Sequence, residues 1–81
     1  MMIDILIYTK SNCPNCTAAK MVLKIQDLPY REISVDSEEN RALLMKEDAK
    51  ARQMPQIFIN GQRVGGLAGL QAALKQIKGA V

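Results

Sequence analysis

A strand, helix, strand succession at the start of the chain limits its folds more than any other feature. Ile3 to Tyr8 is a short apolar run (Ile3, Ile5, Leu6, Ile7, Tyr8) interrupted by Asp4. Its length and branched residues favour a buried strand. Thr9 to Asn12 is polar and reads as a loop. Pro14 suits the first position of a helix, where a missing N–H costs nothing. Ala18, Met21, Val22 and Ile25 then recur at i, i+3, i+4 and i+7, which predicts one apolar helical face with Lys20 and Lys24 opposite. The helix is expected to end near Asp27, before Pro29. Tyr30 to Val35 reads as a second strand, and a crossover of this kind joins parallel strands with a right-handed connection.

The remainder adds a helix, a hairpin and a closing helix. Asp36-Ser37-Glu38-Glu39 offers an N-cap with Glu three residues later, a capping-box arrangement. The helix it starts is expected to reach about Ala51 and to bury parts of Ala42, Leu43, Leu44 and Ala49, with Glu47 and Lys50 spaced for surface pairing. Gln56 to Asn60 reads as a third strand. Asn60-Gly61 is a strong two-residue hairpin signal, so Gln62 to Val64 pairs back as a fourth. Gly65-Gly66 breaks the pattern. Leu70, Ala73, Leu74 and Ile77 then predict a helix that stops at Gly79. The class is α/β, with helices on both faces of a mixed sheet. No repeat or linker divides residues 1–81, so a single domain is expected. With two tyrosines, one phenylalanine and no tryptophan, aliphatics and methionines must fill its core.

Chemistry concentrates at Cys13-Pro14-Asn15-Cys16, which holds both cysteines of the chain. Cys13 falls at the N-cap, so the unpaired N–H groups of the first turn point at its sulfur and the helix dipole adds positive potential. Both favour thiolate, where a free thiol with a pKa of ~8.5 is only ~3% ionised at neutral pH. Lys10 on the preceding loop is a further positive charge. Cys16 lies one turn inside and is more shielded. The reading is therefore a working dithiol in which Cys13 attacks a disulfide and Cys16 resolves the mixed disulfide. A stabilising disulfide is the plainer reading, but so short a loop constrains the unfolded chain by only ~2 kcal/mol. A zinc site needs about four ligands, and two cysteines with no histidine leave a monomer two short. A Cys–His hydrolase lacks its base.

Composition narrows the partners. The net charge of +3 comes from scattered residues, with no basic stripe or interleaved aromatics, so no nucleic-acid partner is expected. No apolar stretch approaches the ~20 residues of a spanning helix. Met1-Met2-Ile3-Asp4 lacks the pattern of a secretory signal. A soluble, cytoplasmic protein without membrane contact is the expectation, and two close cysteines in a reducing compartment point to catalysis or metal binding.

Three motifs together resemble the glutaredoxin family over nearly the whole chain. They are Tyr8-Thr9-Lys10-Ser11-Asn12-Cys13-Pro14-Asn15-Cys16, Met54-Pro55-Gln56-Ile57-Phe58-Ile59-Asn60-Gly61 and Val64-Gly65-Gly66. The resemblance implies a thioredoxin fold, β-α-β-α-β-β-α, with a mixed four-stranded sheet in order 2-1-3-4 flanked by three helices. It implies a cis Pro55 beside the dithiol, and glutathione as co-substrate with no bound cofactor. Met54 would offer its backbone N–H and C=O to the peptide part of glutathione as an added strand. Lys10 would meet the glycine carboxylate, with Gln53, or Arg52 in its place, as a further contact. Asn15 stands where the family commonly has Tyr, which removes an aromatic wall. Past Gly66 the family often carries Asp-Asp; here Leu67-Ala68-Gly69 follows. The backbone N–H groups of Leu67 and Ala68 remain available to the γ-glutamyl carboxylate. A carboxylate for the ligand's ammonium is absent, a loss of roughly 10- to 100-fold in affinity.

Three functions follow from the resemblance. The first is a monomeric, glutathione-dependent oxidoreductase reducing protein disulfides and glutathione mixed disulfides. The second is a redoxin reduced by thioredoxin reductase and feeding ribonucleotide reductase, since Ala68-Gly69-Leu70 resembles the small-Gly-apolar pattern of such proteins. The third, of another class, is an iron–sulfur carrier in which two protomers each give Cys13 and two glutathiones supply the other thiolates; Pro14 argues against it by stiffening the loop.

Overall fold

The computed structural model describes residues 3–47 and 53–79. Seven elements run β1 (Ile5–Thr9), α1 (Pro14–Ile25), β2 (Arg31–Ser34), α2 (Glu38–Glu47), β3 (Gln56–Ile59), β4 (Gln62–Gly65) and α3 (Leu67–Gly79). The sheet order is β2-β1-β3-β4. β1 runs parallel to β2, with Ile7 opposite Glu32 and Thr9 opposite Ser34. β1 and β3 are antiparallel, with Ile7 opposite Ile57. β3 and β4 are antiparallel and joined at Asn60-Gly61, whose φ values of 51° and 83° both lie in the left-handed region a tight hairpin demands. This is the thioredoxin fold that the resemblance implies.

Strand alternation sends side chains to two cores. On one face Ile5, Ile7, Ile57 and Ile59 pack with Ala19 and Leu23 of α1 and Leu70 and Leu74 of α3. On the other, Tyr8 and Phe58 pack with Val35 and Leu44. The Tyr8 and Phe58 rings meet edge to face at 5.8 Å, a favoured aromatic geometry.

The buried face of α1 differs from the expected one. Cys16, Ala19 and Leu23 turn inward, while Met21 and Ile25 are 57% and 73% exposed. The sequence carries two apolar stripes on nearly opposite sides of this helix, and its two ends choose between them. At the start, Cys13 caps and brings Cys16 inward. At the finish, Asp27 adopts φ 57°, the Asp27 N–H donates to Lys24 C=O, and the Leu28 N–H donates to Leu23 C=O at 2.9 Å. This is a Schellman closure, and it folds Leu28 back onto the cluster that contains Leu23.

The capping box also differs. The N-cap of α2 is Ser37, whose hydroxyl accepts the Asn40 N–H at 3.4 Å and whose C=O accepts the Arg41 N–H. Glu39 therefore sits one position too early to reach back, and Asp36 is engaged by Ser11 instead. Of the expected α2 core, Leu44 alone is buried among the described residues; Leu43 is 46% exposed and Ala42 is exposed too. Ala49, Lys50, Ala51 and Arg52, and the side chains of Glu47 and Ile77, lie outside the described residues. Among the described residues no helix is long and apolar enough to cross a membrane.

Candidate active site

The loop from β1 to α1 is tied down on several sides before it delivers Cys13. Thr9 C=O accepts the Val35 N–H at 2.7 Å. The Ser11 N–H donates to one Asp36 oxygen at 3.2 Å and the Ser11 hydroxyl donates to the other. Asn12 takes φ 55°, a left-handed turn that asparagine tolerates. The chain then enters α1 with Cys13 extended (φ −118°, ψ 98°) and Pro14 in the first turn.

Cys13 and Cys16 form a disulfide with Cα atoms 5.2 Å apart. The Cys16 N–H donates to Cys13 Sγ at 3.1 Å, as the N-cap argument anticipates. The same N–H and that of Thr17 also reach Cys13 C=O, at 3.1 and 3.2 Å. The Cys16 N–H is the first-turn donor aimed at the sulfur, and together with the helix dipole it favours the ionised form once the disulfide opens. Cys13 Sγ also lies 3.5 Å from Met54 C=O, a contact that only a protonated thiol converts into a hydrogen bond. Cys13 is 9% exposed and Cys16 2%, so the first sulfur stands at the rim and the second beneath it.

Two grooves lie by this pair, one bordered through the contact of Cys13 Sγ with Met54 C=O and the other lined by both cysteines. The first is lined by Asn15, Gln53, Met54, Pro55, Gly66, Leu67 and Ala68, together with Gln56, Arg63 and Gly69. The Met54-Pro55 bond is cis. The start of α3 comes close to it; a Cβ on Gly66 would lie 3.5 Å from Pro55 C=O. Lys10 lies apart from these residues, in the other groove, with Asn12, Cys13, Cys16, Thr17 and Lys20. The sequence-named candidates thus divide between two flanks of the dithiol, and Arg52 lies outside the described residues.

Gln56 and Arg63 were not anticipated. Gln56 is 5% exposed; its amide donates to Gln53 C=O at 2.7 Å and accepts from Arg63 Nε at 3.0 Å. Its signal was a polar residue opening an otherwise apolar strand. A second unanticipated group is Glu32, which accepts the Thr9 hydroxyl at 2.7 Å and pairs with Lys20 at 3.1 Å. The Thr9 hydrogen bond is the main cause that holds the Glu32 carboxyl below its ordinary 4.5; partial burial opposes it and Lys20 assists. Asp36 is likewise held below its ordinary 3.8, first by the Ser11 hydroxyl and then by the Ser11 N–H. Among the described residues no three His, Cys, Asp or Glu side chains cluster as a metal would need.

A cysteine capping a helix, with a second cysteine one turn on and a cis proline alongside, defines a dithiol redox protein of the thioredoxin fold. Comparisons with known proteins narrow the class. The glutaredoxin family model matches residues 5–64. Glutaredoxin 3 of Escherichia coli strain K12 is 34% identical over 71 residues, covering 88% of this chain and 86% of that protein. The crystal structure of glutaredoxin 1 from Francisella tularensis, complexed with cacodylate, superposes with a TM-score of 0.79 at 25% identity, covering 95% of this chain and 98% of that one. The solution structure of a glutaredoxin from Brucella melitensis gives 0.72 at 34% identity, over 93% of this chain and 82% of that one. The chain belongs to the glutaredoxin family, and its activity is that of a thiol–disulfide oxidoreductase.

Proposed function

We propose that this protein reduces protein disulfides and glutathione mixed disulfides with glutathione as its electron donor. The observation that carries the reading is the groove running from Asn15 past cis Met54-Pro55 to the start of α3, with Cys13 Sγ at its edge. In the proposed cycle the Cys13 thiolate attacks a substrate disulfide, and one substrate sulfur leaves as a thiolate and is protonated. Cys16 gives up its proton and attacks Cys13 Sγ, closing the Cys13–Cys16 disulfide and releasing the second sulfur. Two electrons pass from the dithiol to the substrate. Two glutathione molecules then reopen the pair and leave as their own disulfide.

Met54 would supply backbone groups to the peptide of glutathione, and Pro55 would shape that wall. Lys10 and Gln53 would hold carboxylates. Gly66, Leu67 and Ala68 would present the helix start to the γ-glutamyl end, and Asn15 would border the sulfur. Intramolecular resolution suits a monomer. A reducing compartment such as the cytoplasm suits an active-site dithiol.

The acid-free lining of this groove among the described residues favours a second reading, a redoxin reduced by thioredoxin reductase whose substrates include ribonucleotide reductase. One assay separates the two. Glutathione with its reductase, or thioredoxin reductase alone, is supplied with NADPH, and turnover of a protein disulfide is followed. Turnover sustained by glutathione is expected; turnover with thioredoxin reductase alone would replace the first reading with the second.

A further inference from the structure

The second sulfur has a problem that the first does not. Cys16 is 2% exposed, and burial penalises a thiolate. Its own N–H is aimed at Cys13 Sγ, so the helix start serves the partner sulfur. Yet the resolving step needs Cys16 ionised.

Lys20 stands one turn on. Its i+4 spacing places it on the same side of α1 as Cys16, and it lines the same groove as Cys13, Cys16 and Thr17. The ammonium does not swing free. Glu32 on β2 holds it at 3.1 Å, and the buried Thr9 hydroxyl on β1 fixes that carboxylate at 2.7 Å. Three consecutive elements of the fold thus converge to hold the Lys20 ammonium in the groove that Cys16 also lines. Among the described residues the other charged side chain lining this groove is Lys10, and Lys24, one turn further along α1, also acts on Glu32.

We infer that Lys20, anchored by Glu32 and Thr9, is a positioning residue for the second step, favouring the Cys16 thiolate that displaces substrate sulfur from Cys13. The inference rests on the division of labour proposed above, in which Cys16 resolves. The proton of Cys16 passes to solvent, its electron pair forms the bond to Cys13 Sγ, and the departing substrate sulfur takes a proton from solvent. Lys20 keeps its own proton throughout. A more stable thiolate is also a weaker nucleophile, with a Brønsted slope of ~0.4–0.5. Removing the ammonium takes away the positive end of its pair and leaves the Glu32 carboxylate uncompensated, and the rate of this step changes roughly 3- to 10-fold.

A neutral chromogenic disulfide, dipyridyl disulfide, tests this without glutathione. Mixed with reduced protein it releases one pyridinethione when Cys13 attacks and a second when Cys16 displaces, so stopped-flow absorbance records the two steps as successive phases. Lys20→Met is expected to slow the second phase roughly 3- to 10-fold, to leave the first within about two-fold, and to move the pH midpoint of the second phase upward. Lys20→Arg is expected to restore the wild-type phases. Equal slowing of both phases, greater slowing of the first, or no change in the second would overturn the inference. Persistence of the second phase in Cys16→Ser would overturn the division of labour itself, whichever donor reopens the disulfide.

Discussion

Cys13 and Cys16 are chemically alike and positionally opposite. The first caps a helix at the rim, and the second is roofed by it. Replacing Cys13 with Ser removes the nucleophile, and all disulfide reduction is expected to disappear. Replacing Cys16 with Ser should spare the reduction of glutathione mixed disulfides, which one thiol can carry, while crippling the reduction of protein disulfides. Parallel assays of both substrates on both variants check this. Gly69 shows a different kind of constraint. A Cβ there would fall 1.8 Å from the Val64 carbonyl oxygen and 2.9 Å from its carbon, both rigid backbone atoms. Gly69→Ala must push α3 away from β4, and a loss of roughly 1–3 kcal/mol in urea unfolding is expected, the range for overpacked sites. The glycine thus has a steric reason to be there in this chain.

The two flanks of α1 make a direct comparison. Leu23 is fully buried, so Leu23→Ala should cost roughly 2–5 kcal/mol. Ile25 is 73% exposed, so Ile25→Gln should change stability by less than about 0.5 kcal/mol. Chemical denaturation of both variants decides it, and near-equal losses would contradict the rotation of the helix described here. The same helix shows what a sequence makes legible. Pro14 and Pro29 bracket it well, because proline acts locally on the backbone. Its rotation is hidden, because two apolar stripes compete and the choice is made by Cys13 at one end and by Leu28 closing onto Leu23 at the other. The Asn60-Gly61 hairpin is plain, since its left-handed dihedrals select those residue types directly. The α2 cap is misread by one residue because Asp36, a good N-cap by type, is taken by Ser11 from a loop far away in sequence. The same limit hides part of the site. The cysteines and the Met54-Pro55 wall stand in continuous motifs. The Thr9–Glu32–Lys20 and Gln53–Gln56–Arg63 chains arise from strand register, where a slip of one residue sends each side chain to the opposite face.

Acid should loosen the molecule in a predictable direction. Glu32 and Asp36 are both held below their ordinary values of 4.5 and 3.8 in the folded protein. A carboxyl depressed by folding binds its proton more readily in the unfolded chain, so its contribution is present above the unfolded value and is lost as pH falls through the folded one. Urea midpoints should therefore hold down to about pH 4.5 and then decline. Glu32→Gln and Asp36→Asn should each make that decline shallower. A wild-type profile that stays flat to pH 2 would contradict both assignments. The two acids tie β2 and the start of α2 to the segment that precedes the dithiol, so the decline should be accompanied by slower disulfide reduction. Neutral assembly and redox competence are in this sense properties of one network.

The Cys13 carbonyl accepts two backbone N–H groups, from Cys16 and Thr17, and these bonds do not pass through sulfur. The first turn of α1 is therefore closed whether or not the sulfurs are joined. Opening the pair frees two side-chain atoms and asks almost nothing of the peptide beneath them. Electron exchange can then be confined to the sulfurs and to the partner that brings them together, because the turn beneath them is held by its own backbone bonds.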